Sequence, residues 1–354
     1  MGDRLDSIIP PCKLANILTV ISIINMNVFQ NPLNPILWTA RRSEQDVVSL
    51  YDYLSGIMRI TTEDYFLNFG YWNKGMDSPR EAQRRLCSLV ADVSFLGSAN
   101  IVLDIGSGFS APAVYWRSLF NSLNVVCMDV NLQQLKRGIF LHSSLNENKI
   151  TYRLPKDIGG EIKTSLELEL PQMEETETLA FVNATSTVLP FADNSVDRII
   201  ALESAQHFRP LSEFLMESNR VLEKNGIFVA AVPIVQNPKC LHGSNVFSQM
   251  MSSISSYFKL GVLSFTWMSE RYELNYIKSQ IVDAGFQLKE IRFIGSHVYE
   301  PLAKYYIQNR KMLQNTILRE YPSPIERILH KSILKMNELS KERVIDYAII
   351  RADK

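Results

Sequence analysis

The apolar run Ile101-Val-Leu-Asp-Ile105 stops at Gly106-Ser-Gly108, and helix-forming residues take over from Pro112. This strand, glycine turn and helix constrain the chain more than any other segment. In open α/β sheets such a turn admits a ligand close to the backbone, and the N-H groups of the following helix favour negative or polar ligand groups. The first glycine permits the tight turn and the second clears the ligand's approach. A second apolar run over 124–128 ends on Asp129, an acid at the tip of the next strand.

The same alternation continues along the chain. Strand patterns fall at 101–105, 124–128, 179–182, 198–202 and 226–232, with helical patterns at 112–119, 132–144 and 211–222. A helix over 269–284, a strand over 286–294, a mostly helical stretch over 299–339 and a strand over 344–350 follow. This order predicts an α/β fold, a doubly wound, seven-stranded, mostly parallel sheet with right-handed crossovers. Two helices precede it, at 44–60 and 78–96, the second opened by Ser78 as N-cap and Pro79 in the first turn. The expected division is a helical cap with an aromatic loop over 1–97 and a ligand-binding domain over 98–354. The segment 146–178, with adjacent glycines and the acidic string Glu174-Glu175-Thr-Glu177, reads as a surface insertion before the third strand. Stretches at 236–270 and 299–340, the latter helical, read as substrate covers.

Charge and cysteine usage narrow the class. Lys+Arg and Asp+Glu both number 37, so no basic field draws nucleic acid. Cys12, Cys87, Cys127 and Cys240 form no C-x-x-C pair, which argues against zinc or a disulfide framework and for a reducing cytoplasm. His142, His242, His297 and His330 lack metal-ligand spacing, and no metal is expected. The apolar stretch 14–26 is too short to cross a bilayer. It reads as an amphipathic helix over the core or active site, with an interfacial helix touching lipid as the other reading.

Two cofactor readings compete at the glycine turn. Gly106-x-Gly108-x-x-Ala111 with Asp129 downstream satisfies a dinucleotide fingerprint. Asp104, two residues ahead of the first glycine, would repel a pyrophosphate and suits a cofactor with a cationic end, such as S-adenosylmethionine. Asp104-x-Gly106-x-Gly108 resembles the first motif of the class I S-adenosylmethionine-dependent methyltransferases, whose fold is Rossmann-like. Asp129 matches that family's ribose-binding acid, and Asn183-Ala184 stands where the family usually has Asp-Ala at the adenine. Leu189-Pro-Phe191 through Ser195-Val-Asp197, Glu217 to Arg220-Val-Leu222, Lys224-Asn-Gly226 and the closing Asp346 to Lys354 are similar to its later motifs, so the resemblance runs from about Asp64 to the C-terminus. It implies cofactor contacts from Asp104, Gly106, Ser107, Gly108, Asp129, Val130, Asn183, Ala184, Glu203 and Tyr71. Asn183 in place of Asp, and Ser107 and Ser110 in place of Cys and Gly, depart from the family pattern.

Leu67-Asn-Phe-Gly-Tyr-Trp72 and Glu203-Ser-Ala-Gln-His207-Phe208 are most similar to the small-molecule branch that methylates natural products and sugars on oxygen, related to the sterol and tocopherol type. Methyl transfer is an in-line displacement that depends on positioning in a water-poor site, and a base assists when the nucleophile is a hydroxyl. His207, just past the fourth strand, is the candidate base, with a loop-fixing histidine as the other reading. Glu203 is the other candidate, as base or as substrate holder. Tyr65, Tyr71 and Trp72 could face a sulfonium by cation–π contact or simply pack the core. Met250, Met251, Tyr257, Phe258, Phe265 and Trp267 suggest an apolar or aromatic acceptor, with ordinary core as the alternative. The expected activity is therefore methylation of a hydroxyl on a small organic metabolite. C-methylation of a prenyl, sterol-like or other lipid acceptor, and cofactor binding without catalysis, are the alternatives.

Overall fold

Eight strands hydrogen-bond into one sheet: β1 (Ile101–Ile105), β2 (Asn124–Asp129), β3 (Thr151–Tyr152), β4 (Leu179–Asn183), β5 (Val196–Leu202), β6 (Leu222–Val235), β7 (Gln287–Phe293) and β8 (Ile345–Asp353). Their order is β3-β4-β2-β1-β5-β6-β8-β7. All neighbours run parallel except β8, which lies antiparallel between β6 and β7. The seven expected strands are all present, and β3 adds a two-residue edge that no apolar run had signalled. The computed structural model describes residues 43–62, 64–73, 75, 78–143, 151–152, 179–236 and 273–354. The apolar 14–26 stretch, nearly all of the 146–178 insertion, and the aromatic and methionine residues between 250 and 267 lie outside the described residues.

The helices are α1 (Glu44–Thr62), α2 (Pro79–Val93), α3 (Ala111–Leu119), α4 (Leu132–Ser143), α5 (Leu211–Val221), α6 (Leu274–Asp283), α7 (Tyr299–Gln308), α8 (Arg310–Glu320) and α9 (Ser323–Lys341). Because a parallel strand is covered on both faces, its side chains feed two cores alternately. Val102, Cys127 and Val229 pack with Leu86 and Val90 of α2, Trp116 of α3 and Met336 of α9. Leu103, Val126 and Phe228 pack on the other face with Phe214 and Leu215 of α5 and Ile281 of α6. Ser78 precedes α2 as expected, but its side chain makes no capping hydrogen bond; Pro79 marks that helix start.

The loop motifs hold one another in place. Glu217 accepts from the Leu189 amide at 2.8 Å, while the Arg220 guanidinium donates to the Leu189 and Phe191 carbonyls, each at 2.8 Å. The Leu-Pro-Phe passage and the α5 signature thus form one strut for the entry to β5. Burial within the Arg220 cluster is partial, so its ion pairs act more as geometry than as stability.

Candidate active site

Strand order reverses at β1, which has β2 on one side and β5 on the other. Ligands in open α/β sheets sit at the carboxyl ends of strands at such a switch point. A cavity of about 980 Å3, its mouth included, opens there and is lined by the glycine turn, the tips of β2 and β5, and a stripe of α1.

The glycine turn is built by hydrogen bonds to the neighbouring strand. The Gly106 and Ser107 amides donate to the Met128 carbonyl at 2.7 and 3.1 Å, and the Gly108 amide donates to Asp129 Oδ2 at 2.8 Å. Gly106 has φ +75°, and a Cβ there would collide with the Ser204 side chain, so only glycine fits. With these amides committed inward, the turn offers carboxylates to a ligand more than N-H groups. That arrangement suits a cationic ligand end better than a pyrophosphate.

Two acids face the cavity from the strand tips. Asp104 is buried, and its Oδ2 has no hydrogen-bond partner among the described residues. Burial and the nearby Asp129 push its pKa up to about 8. Asp129 is also buried, with Oδ1 accepting from the Asn131 amide at 2.7 Å. Burial lifts it to about 6 against the pull of its two amide donors. An orphaned buried carboxylate beside a side-chain-free turn fits a ligand carrying an ammonium group and a diol, as S-adenosylmethionine does.

The opposite wall follows β5. Glu203 adopts a left-handed φ of +54°, and its Oε1 accepts from the Phe69 amide and the Tyr347 hydroxyl, each at 2.9 Å. Burial raises its pKa to about 8 despite both donors. His207 closes the short 3-10 turn Ala205–His207, and its Nε2 lies 2.8 Å from the Tyr51 hydroxyl of α1. Burial pulls the His207 pKa down to about 4, which leaves a neutral imidazole at pH 7.

Asp104, Gly106, Ser107, Gly108, Asp129, Val130, Ala184, Glu203 and His207 all line this one cavity. Two residues singled out with them do not. Tyr71 stacks on His297 with ring centroids 4.8 Å apart, so it packs the α2 side of the structure instead of facing a sulfonium. Asn183 turns its amide back to donate to the Asp129 and Val130 carbonyls, each at 2.9 Å, and so braces the β2 tip from outside the lining. Of the other aromatics, Tyr65 lines the cavity, whereas Trp72 is buried against Tyr305.

The α1 contribution was not singled out in the sequence. Glu44, Val47, Val48 and Tyr51 follow one face of that helix and line the cavity. Side chains fasten the helix: Thr185 donates to the Glu44 carboxylate, and Asn131 Nδ2 donates to Asp52 at 2.9 Å. The signal was the i, i+3, i+4, i+7 stripe, which reads equally as core contact until the fold places it.

Comparison with known proteins agrees with this geometry. A family model described as a methyltransferase domain matches residues 158–230. Erythromycin 3''-O-methyltransferase of Saccharopolyspora erythraea is 23% identical over 323 residues, covering 90% of this chain and 93% of that protein. The 27-O-demethylrifamycin SV methyltransferase of Amycolatopsis mediterranei is 25% identical over 160 residues, covering 45% of this chain and 48% of the relative. Among solved structures, mycolic acid cyclopropane synthase CmaA1 complexed with SAH and CTAB superposes with a TM-score of 0.66 at 15% identity, covering 88% of this chain and 98% of that one. A structural likeness at that identity speaks for the fold only. With two buried acids at the strand tips of the switch point, a methyltransferase domain model matched over 158–230 and a methyltransferase similar over 90% of its length, the chain is similar to the class I S-adenosylmethionine-dependent methyltransferases in sequence and fold.

Proposed function

We propose that the chain transfers a methyl group to a hydroxyl of a small organic molecule, in the cavity beneath α1. The observation that carries this reading is the neutral His207 imidazole, hydrogen-bonded to Tyr51, in the same cavity as the Asp104 and Asp129 pair. Near-full-length similarity to a protein named as an O-methyltransferase supports it. Bound there, S-adenosylmethionine supplies a methyl carbon already activated by its sulfonium.

The residues divide the work. Asp129, held by two amides, keeps lone pairs for the ribose hydroxyls, and Asp104 Oδ2 is free for the ammonium. Glu203 is fixed at Oε1 by two donors and lines the wall, which makes it a positioning group and leaves proton removal to His207. Val47, Val48, Leu67 and Phe208 supply the apolar wall that keeps water from the reacting atoms. The buried free thiols Cys87 and Cys127 support a reducing, cytoplasmic setting. No helix among the described residues is long and apolar enough to cross a membrane.

A pH dependence of binding follows from the acids. Below about pH 8 Asp104 carries a proton in the free protein, and it must lose that proton to pair with an ammonium. Affinity for S-adenosylmethionine should therefore rise by about twentyfold between pH 6 and 7.5, with proton release on binding. Isothermal titration in buffers of different ionisation enthalpy measures both, and a flat affinity with no proton release would contradict the role of Asp104.

The acceptor is tested with methyl-labelled cofactor and a panel of 3''-O-demethylerythromycin, 27-O-demethylrifamycin SV, simple glycosides and geraniol. Label on oxygen of a hydroxyl acceptor supports the proposal. Label only on isoprenoid carbon, or cofactor binding with no transfer to any member, would overturn it.

A further inference from the structure

We propose that Tyr51 stands between the acceptor hydroxyl and His207 and relays the hydroxyl proton to Nε2. The inference rests on the reading of His207 as the base. Tyr51 Oη lies 2.8 Å from Nε2, with the two rings edge-on at 84° and their centroids 5.2 Å apart. An unprotonated imidazole nitrogen has one lone pair, so this contact occupies the atom that would take the proton. An acceptor reaching Nε2 directly would have to push Tyr51 aside.

The surroundings resist that displacement. Gln134 Nε2 donates to the Tyr51 carbonyl at 3.4 Å, and the next residue, Asp52, accepts from Asn131 Nδ2. Seven residues earlier on the same helix, Glu44 accepts from Thr185. Tyr51 and His207 both line the cavity, and a phenol oxygen that donates to Nε2 keeps lone pairs for a hydroxyl arriving from the cavity side.

Burial and the Glu203 and Asp129 carboxylates push the phenol pKa up, so a standing phenolate is disfavoured and the two protons move together. The step balances. The acceptor O–C bond forms as the C–S bond breaks, with its electron pair leaving on sulfur. The hydroxyl proton passes to Tyr51 Oη, the phenol proton passes to His207 Nε2, and an imidazolium remains for solvent to discharge.

The relay requires a bare Nε2 and a protonated Nδ1, which nitrogen NMR of the S-adenosylhomocysteine complex reads without any acceptor. Tyr51→Phe, which keeps the ring, should then shift Nε2 and leave Nδ1 in place. A proton found on Nε2 would overturn the proposal. With 3''-O-demethylerythromycin as acceptor, Tyr51→Phe should lower kcat about ten- to a hundredfold with affinity for S-adenosylhomocysteine within about twofold. The Tyr51→Phe, His207→Ala double variant should be no slower than His207→Ala alone, since both changes break one path. If His207→Ala leaves transfer intact, the base assignment itself falls. If it slows transfer while Tyr51→Phe does not, the relay alone falls.

Discussion

Replacing Asp129 with alanine is expected to weaken S-adenosylmethionine binding by about a hundredfold or more. Each hydrogen bond to a charged group contributes about 1.5–3 kcal/mol, and roughly 1.4 kcal/mol is a tenfold change in affinity. On the proposed reading the carboxylate serves the ligand as well as the protein, since its oxygens also tie the Gly108 amide, which closes the turn, and the Asn131 amide ahead of α4. Asp129→Asn, which keeps one acceptor oxygen, should lose less. Calorimetry with the cofactor, beside thermal unfolding of each free variant, separates binding from folding. Unchanged affinity in a folded Asp129→Ala protein would remove this residue from the site.

His207→Ala should lower turnover by about a hundredfold while leaving cofactor affinity near that of the parent protein. The expectation of an intact cofactor site follows from placement. His207 sits on the β5 wall and reaches α1, whereas Asp104 and Asp129 belong to the tips of β1 and β2. Because burial already keeps the ring neutral down to about pH 4, the rate should show no His207 titration between pH 6 and 8. Steady-state kinetics with an identified acceptor would show the loss in kcat. Full turnover in the variant would leave His207 as a loop-fixing residue.

The sheet was legible in the sequence because its central strands are buried on both faces and read as unbroken apolar runs between glycine and polar turns. Val125 to Met128 is of this kind, Ile101 to Ile105 is broken only by Asp104, and their bounds were recovered almost residue for residue. The two acids of the proposed site were legible for a related reason: an acid at the end of an apolar strand, such as Asp104 or Asp129, costs burial energy and so singles itself out as a candidate ligand contact. Direction was not legible. Asn183 and Tyr71 lie at the right places along the chain, yet one amide points back to the β2 carbonyls and the other ring stacks on His297, contacts made by residues distant in sequence. Tyr51 escaped notice because an amphipathic helix shows which residues share a face but not what that face covers. Its partner stands 156 positions away. The Glu203 anchor by Tyr347 of the last strand is hidden in the same way.

The most direct test is a crystal structure of the protein with S-adenosylhomocysteine. It should show the ribose hydroxyls within hydrogen-bonding distance of Asp129, the amino group against Asp104, and the sulfur open toward His207 and Tyr51. A ligand bound elsewhere, or one whose sulfur is walled off from that pair, would contradict the account.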